Sequence, residues 1–186
     1  MKTNYIRLIN KEHPLPENFV PDGLTDIGIP FDAPPGDQKR LLEEKAACAA
    51  LELITRARQE GLSLYGVSGY RSYKRQKELY TGSPYVAAPG TSEHQSGLAL
   101  DLSCPEIQMK LEEKFAQTAE GIWLAWHAPL YGFILRYPKN KEHITLVPYE
   151  PWHIRYVTKP LASYLSLTGM TLVEYHSLQE NIKEAL

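Results

Sequence analysis

The chain has 186 residues, of which 43% are hydrophobic and 23% charged, an ordinary balance for a globular protein built round one core. A net charge of −2 and a pI near 6.3 give no sign of the basic surface that binds nucleic acid or another polyanion. There is no apolar run of about 18 residues, and the first residues, MKTNYIRLINKEHPLPENF, lack a signal peptide's apolar segment, so a cytoplasmic protein without a transmembrane segment is expected.

Residues 1–36 are rich in Pro, Asp and Gly and end in FDAPPGD, which predicts a loop-rich arm packed on a single domain spanning 1–186. Asp37 stands where it could cap the following helix. In that helix Leu42, Ala46, Ala49, Leu53 and Ala57 recur at spacings of three and four until Gly61, giving a core-facing stripe in which Cys48 reads as a small core residue. Cys48 and Cys104 make neither a disulfide scaffold nor a zinc-finger spacing. LSLYGVSGY (62–70) is rich in strand formers, and SYKRQKELY (72–80) reads as a short helix before the loop TGSPYVAAPG.

GLALDLS (97–103) alternates, with Leu98, Leu100 and Leu102 on one face and Ala99, Asp101 and Ser103 on the other, as in a half-buried strand. A second long helix is expected over 106–129. YGFILRYP and PWHIRYV read as further strands joined by KNKEHITLVPYE, and LASYLSLTG and TLVEYHSLQENIKEAL as closing helices. The sum is an α+β fold, a small, mostly antiparallel sheet flanked by helices.

Of six histidines, His13, His127, His143 and His176 read as packing or solvated residues. His94 and His153 differ in their company. In EPWHIRYV, Glu150 lies three residues before His153, and strand alternation puts His153 and Arg155 on one face, away from Trp152, Ile154 and Tyr156. If this strand neighbours GLALDLS, Asp101 and His153 converge and His94 reaches over from the preceding loop. Two imidazoles and a carboxylate make a catalytic zinc set with a fourth position left for water, and Glu150 is then the proton shuttle. By spacing alone, a metal site and two unrelated strand features remain equally open.

The segments SGYRS, SEHQSGLALDLS, YGFILRYP and YEPWHIRYV, in this order, resemble the VanY-type D-alanyl-D-alanine carboxypeptidases, of the zinc peptidase family that includes the VanX dipeptidases. The likeness covers roughly residues 60–160, and IRLINKEHPL and TLVEYH also resemble the bifunctional VanXY enzymes of glycopeptide-resistant enterococci. The resemblance implies one Zn²⁺ per chain held by His94, Asp101 and His153, with Glu150 as catalytic base and Arg71 stabilising the oxyanion. It also implies Gln76 and Ser92 as holders of the substrate's carboxylate. Trp152 is a candidate pocket wall or a residue packed under the site, and Tyr85 a candidate substrate cover.

The activity so implied is zinc-dependent hydrolysis of D-Ala-D-Ala, of the terminal D-Ala of peptidoglycan pentapeptide precursors, or of both, in support of glycopeptide (vancomycin) resistance. Two alternatives stand beside it: an L,D-carboxypeptidase trimming cell-wall tetrapeptides, and a non-catalytic zinc-dependent peptidoglycan-binding module. VanY-type enzymes working outside the membrane offer a second location, as the extracellular part of an anchored enzyme.

Overall fold

A computed structural model describes residues 3–83 and 86–185. The arm is anchored by apolar side chains: Leu8, Ile9, Leu15, Ile27 and Ile29 are buried. It also contributes a short strand, β1 (Leu24–Asp26), which pairs antiparallel with β2 (Leu41–Glu43). The start of the first helix therefore differs from expectation. Asp37 caps only a 3₁₀ turn over Gln38–Arg40, accepting from the Lys39 N–H at 2.9 Å. Leu42 lies in β2, and the long helix α1 (Glu44–Gln59) begins under a different cap, the Glu43 carboxylate, which accepts from the N–H groups of Lys45 and Ala46.

Helix α1 buries Ala46, Ala50, Leu53 and Ala57 completely. Cys48 is exposed and not in the core. Two residues past Ala46 the helix has turned by about 200°, away from the buried stripe.

Four strands form the main sheet: β3 (Tyr65–Ser68), β4 (Ala99–Ser103), β5 (Phe133–Leu135) and β6 (His153–Tyr156), ordered β3-β4-β6-β5 with every pair antiparallel. The Leu98, Leu100 and Leu102 side chains join the α1 core. All five residues of β4 are buried, so the strand is covered on both faces: its polar side lies beneath a built site and not beneath solvent.

Helix α2 (Tyr73–Leu79) follows β3, capped by Ser72. The long helix expected over 106–129 is broken. A 3₁₀ turn at Pro105–Ile107 ends in Gln108 and Met109, whose φ values of 56° and 59° are left-handed and cannot continue a right-handed helix. A second 3₁₀ turn, Glu113–Gln117, precedes α3 (Ala119–His127), capped by Thr118. The connector after β5 contains a single helical turn, α4 (Glu142–Thr145), ended by Leu146 at φ 57°. Helices α5 (Lys159–Thr168) and α6 (Leu172–Glu184) close the chain, α6 behind a capping box of Thr171 and Glu174. Among the described residues no helix is long and apolar enough to cross a membrane.

Candidate active site

Strand β4 lies beside β6 in a register that pairs Ala99 with Arg155, Leu100 with Ile154 and Asp101 with His153. Directly opposed residues of an antiparallel pair project to the same face. Asp101 and His153 therefore meet, with His153 Nδ1 2.9 Å from Asp101 Oδ1. His94 arrives from a 3₁₀ turn, Glu93–Ser96, that ends at Gly97 with φ 69°. Its Nε2 lies 3.1 Å from Asp101 Oδ2, and the two imidazoles stand edge to face with centroids 5.0 Å apart.

His94, Asp101 and His153 each offer a ligand atom, all within 4.8 Å of one another. The other nitrogen of each ring is engaged. His94 Nδ1–H donates to the Gly69 carbonyl at 2.7 Å, which leaves Nε2 as a lone-pair donor. His153 presents Nε2 to Glu93 at 3.5 Å, which leaves Nδ1 facing Asp101. Ligand atoms about 2.1 Å from a tetrahedral cation lie about 3.4 Å apart, close to the separations here. The donor set fits a small divalent cation.

The electrostatics agree with that fit. Burial by itself would favour neutral His153, but its hydrogen bonds to Asp101 and Glu93 outweigh burial and raise its pKa to about 10. Burial works against the Asp101 charge, yet the two histidines hold its pKa below the usual carboxylate range. Positive charge is favoured between these groups. At His94 burial dominates and lowers the pKa, keeping the imidazole neutral as a ligand must be.

Glu150 stands over this cluster, its Oε2 3.9 Å from His153 Nδ1. The backbone fixes it twice, through Glu150 N–H to the Tyr137 carbonyl at 3.1 Å and His153 N–H to the Glu150 carbonyl at 3.2 Å. Burial pushes its pKa up to about 7, against the pull of His153 and Arg71. Arg71 reaches the same cavity and is steered from behind, donating to Gln76 Oε1 at 2.9 Å and Ser68 Oγ at 3.0 Å.

A cleft of about 800 Å³ opens over these groups, lined by Arg71, Ser92, Glu150 and Trp152. Gln76 is placed differently: it is fully buried, accepting from Arg71 and donating to the Ala87 carbonyl at 2.7 Å, beneath the cleft and not on its wall. Tyr85 lies outside the described residues. His143 is also on the cleft wall, whereas His127 stacks on Trp123 at 4.1 Å, a packing role.

Sequence reasoning missed Glu93, Arg136 and Tyr137. Glu93 is 1% exposed and Arg136 equally hidden, although nothing in their periodicity marks them as interior. The Tyr137 ring lies 5.0 Å from His153, two residues past the end of β5.

Fold and similarity together define a hydrolase of the carboxypeptidase class. The model of the VanY family, D-alanyl-D-alanine carboxypeptidase, matches residues 39–159. The chain belongs to this family. Among the curated relatives, the putative carboxypeptidase YodJ of Bacillus subtilis is 43% identical, over 92% of this chain and 67% of its own length. The bifunctional D-Ala-D-Ala dipeptidase and carboxypeptidase VanXYC of Enterococcus gallinarum is 37% identical, over 93% and 94%. Among solved structures, the LdcB LD-carboxypeptidase superposes with a TM-score of 0.88 at 43% identity, covering 91% of this chain and 84% of that one. A mutant of the D,D-pentapeptidase VanY from a VanB-type resistance cassette, in complex with Zn(II), gives 0.74 at 29%, covering 92% and 98%.

Proposed function

We propose that this chain is a zinc-dependent carboxypeptidase that releases C-terminal D-alanine from peptidoglycan stem peptides. The observation that carries the reading is the convergence of His94, Asp101 and His153 under Glu150 and Arg71 in one cleft. His94 Nε2, Asp101 and His153 Nδ1 would hold the metal, which supplies Lewis acidity at the scissile carbonyl and lowers the pKa of water. The rest of the chemistry belongs to the chain. Glu150 takes a proton from the attacking water and returns it to the leaving amine, so that one amide and one water give a carboxylate and an amine. The Arg71 guanidinium, held by Gln76 and Ser68, faces the negative charge that grows on the carbonyl oxygen. Ser92 and Trp152 line the approach of the substrate's C-terminal residue.

A cleft of about 800 Å³ has room for a peptide well beyond a dipeptide, which supports stem peptides as substrates. Two cleavage specificities have support. The likeness to LdcB, with its high TM-score, favours an L,D bond in tetrapeptides. The family description and the VanXYC relative favour a D,D bond, and only that cleavage would serve glycopeptide resistance, by removing D-Ala-D-Ala ends. The test is a side-by-side assay of D-Ala-D-Ala, pentapeptide and tetrapeptide, each with added zinc and with a chelator. Release of D-alanine from none of them by the zinc-loaded protein would overturn the proposal, and the preferred substrate chooses between the two bonds.

A further inference from the structure

One short turn sends two neighbouring acid–base residues in opposite directions. In the 3₁₀ turn Glu93–Ser96, His94 enters the ligand cluster from one side. Glu93 turns instead to the Nε2 side of the His153 ring, away from the nitrogen that faces Asp101, and both its carboxylate oxygens are used. Oε1 accepts from Arg136 Nε at 2.7 Å and from Arg155 Nη1 at 2.8 Å, and Oε2 faces His153 Nε2 at 3.5 Å. All three charged side chains are 1% exposed or less.

Net stability is a weak reason for such a cluster. Buried ion pairs contribute little net stability, and well-packed apolar residues of similar size often serve as well or better. Two arginines on one oxygen fix the Glu93 carboxylate in place and leave the second oxygen aimed at an imidazole. Arg155 is itself anchored, with Nη2 donating to the Arg7 carbonyl at 2.9 Å. Arg136 is tied to His153 through the backbone, its N–H donating to the His153 carbonyl at 3.3 Å.

We propose that Glu93 is a positioning residue: it holds the His153 imidazole with its proton on Nε2, so that Nδ1 is the nitrogen turned toward Asp101 as a metal donor. The inference rests on the metal-centre reading above. It gives the two histidines opposite ligand nitrogens, each set by an outer partner: Nε2 of His94 by the Gly69 carbonyl, Nδ1 of His153 by Glu93. Such outer partners typically govern metal affinity by 10–100-fold. Because Arg136 and Arg155 draw on the carboxylate's charge, its main contribution is to orientation.

The experiment compares wild type with Glu93→Gln for zinc affinity, by competition against a chromophoric chelator, alongside far-UV circular dichroism of the metal-free proteins. A folded Glu93→Gln variant is expected to bind zinc about 10–100-fold more weakly. A folded variant with wild-type affinity overturns the proposal, whereas a wild-type protein that takes up no zinc overturns the metal-centre reading itself. Where Glu93→Gln does not fold, ¹H–¹⁵N imidazole spectra of the zinc-loaded wild type decide. A proton on His153 Nε2 and on His94 Nδ1 is expected, and coordination of His153 through Nε2 would refute the assignment.

Discussion

Asp101 and His153 are register partners on adjacent antiparallel strands, 52 residues apart in sequence and 2.9 Å apart between Oδ1 and Nδ1. Neither strand makes the site alone. The β4–β6 ladder converts two weak spacings into one candidate ligand set, and the same ladder aims the Leu100 and Ile154 side chains into the core. Misaligning the strands by one residue would turn Asp101 into the leucine core and Leu100 onto the ligands.

From that pairing follows the effect of removing the metal or its anionic ligand. With free zinc at about a thousand times its dissociation constant, binding stabilises the fold by about 4 kcal/mol. For a chain of this size that corresponds to a loss of about 8–16 °C in melting temperature on chelation. Asp101→Asn keeps the shape but removes the charge, so the variant should retain little zinc after gel filtration and show almost no response to chelator. Calorimetry with metal analysis checks both. A zinc-loaded Asp101→Asn protein with an unchanged melting temperature would count against Asp101 as a ligand.

Glu150 is not needed to complete the proposed ligand triad, so its removal should separate binding from turnover. Glu150→Gln is expected to take up zinc normally and to lose about 10²–10⁴-fold in kcat, the range associated with a positioned acid–base group. Metal content and D-alanine release measured on one preparation provide the comparison. Turnover within a few fold of wild type would remove Glu150 from the role of proton carrier.

Arg71 and Gln76 act as a pair in this geometry, because the Gln76 oxygen is one of the two acceptors that hold the guanidinium. Arg71→Ala should lower kcat/KM by about 10²–10³-fold, as the loss of an oxyanion donor does. Gln76→Ala should have a smaller effect, since Ser68 still holds the other nitrogen. The double variant should be no worse than Arg71→Ala alone, because residues in one hydrogen-bonded unit are not additive. Additive losses would mean that Gln76 reaches the substrate by another route.

Much of this site was legible before the fold was known. The alternation of Leu98, Leu100 and Leu102 identified the strand and so the direction of Asp101, and the same parity argument put His153 and Arg155 together. What alternation lacks is strand order, and two neighbouring strands could not be established from spacing alone. Glu93 was illegible for a different reason: its burial depends on Arg136, just past the end of β5, and on Arg155 in β6, 43 and 62 residues away. The break at Gln108 and Met109 was hidden because neither residue type announces a left-handed backbone. Cys48 was misjudged because an alanine-rich helix looks apolar nearly all round, and only the buried stripe of Ala46, Ala50, Leu53 and Ala57 shows which side faces inward.

That broken segment offers a test of the fold itself. Gly121, in the first turn of α3, donates its N–H to Thr118 Oγ at 3.0 Å. A methyl group placed there would collide with the Phe115 carbonyl oxygen and its carbon, backbone atoms that cannot swing aside as a flexible side chain can. Phe115 is itself fully buried, so the 3₁₀ turn would have to move with part of the core. Gly121→Ala gains about 1 kcal/mol of helix propensity, whereas a forced backbone shift of this kind costs about 1–3 kcal/mol. The expected result is a metal-free protein destabilised by up to about 2 kcal/mol, with zinc affinity unchanged because the proposed ligands lie on β4, β6 and the turn before β4. Denaturant unfolding of the two metal-free proteins measures the difference, and an Ala variant at least as stable as wild type would show that α3 does not pack on the Phe115 turn in this way.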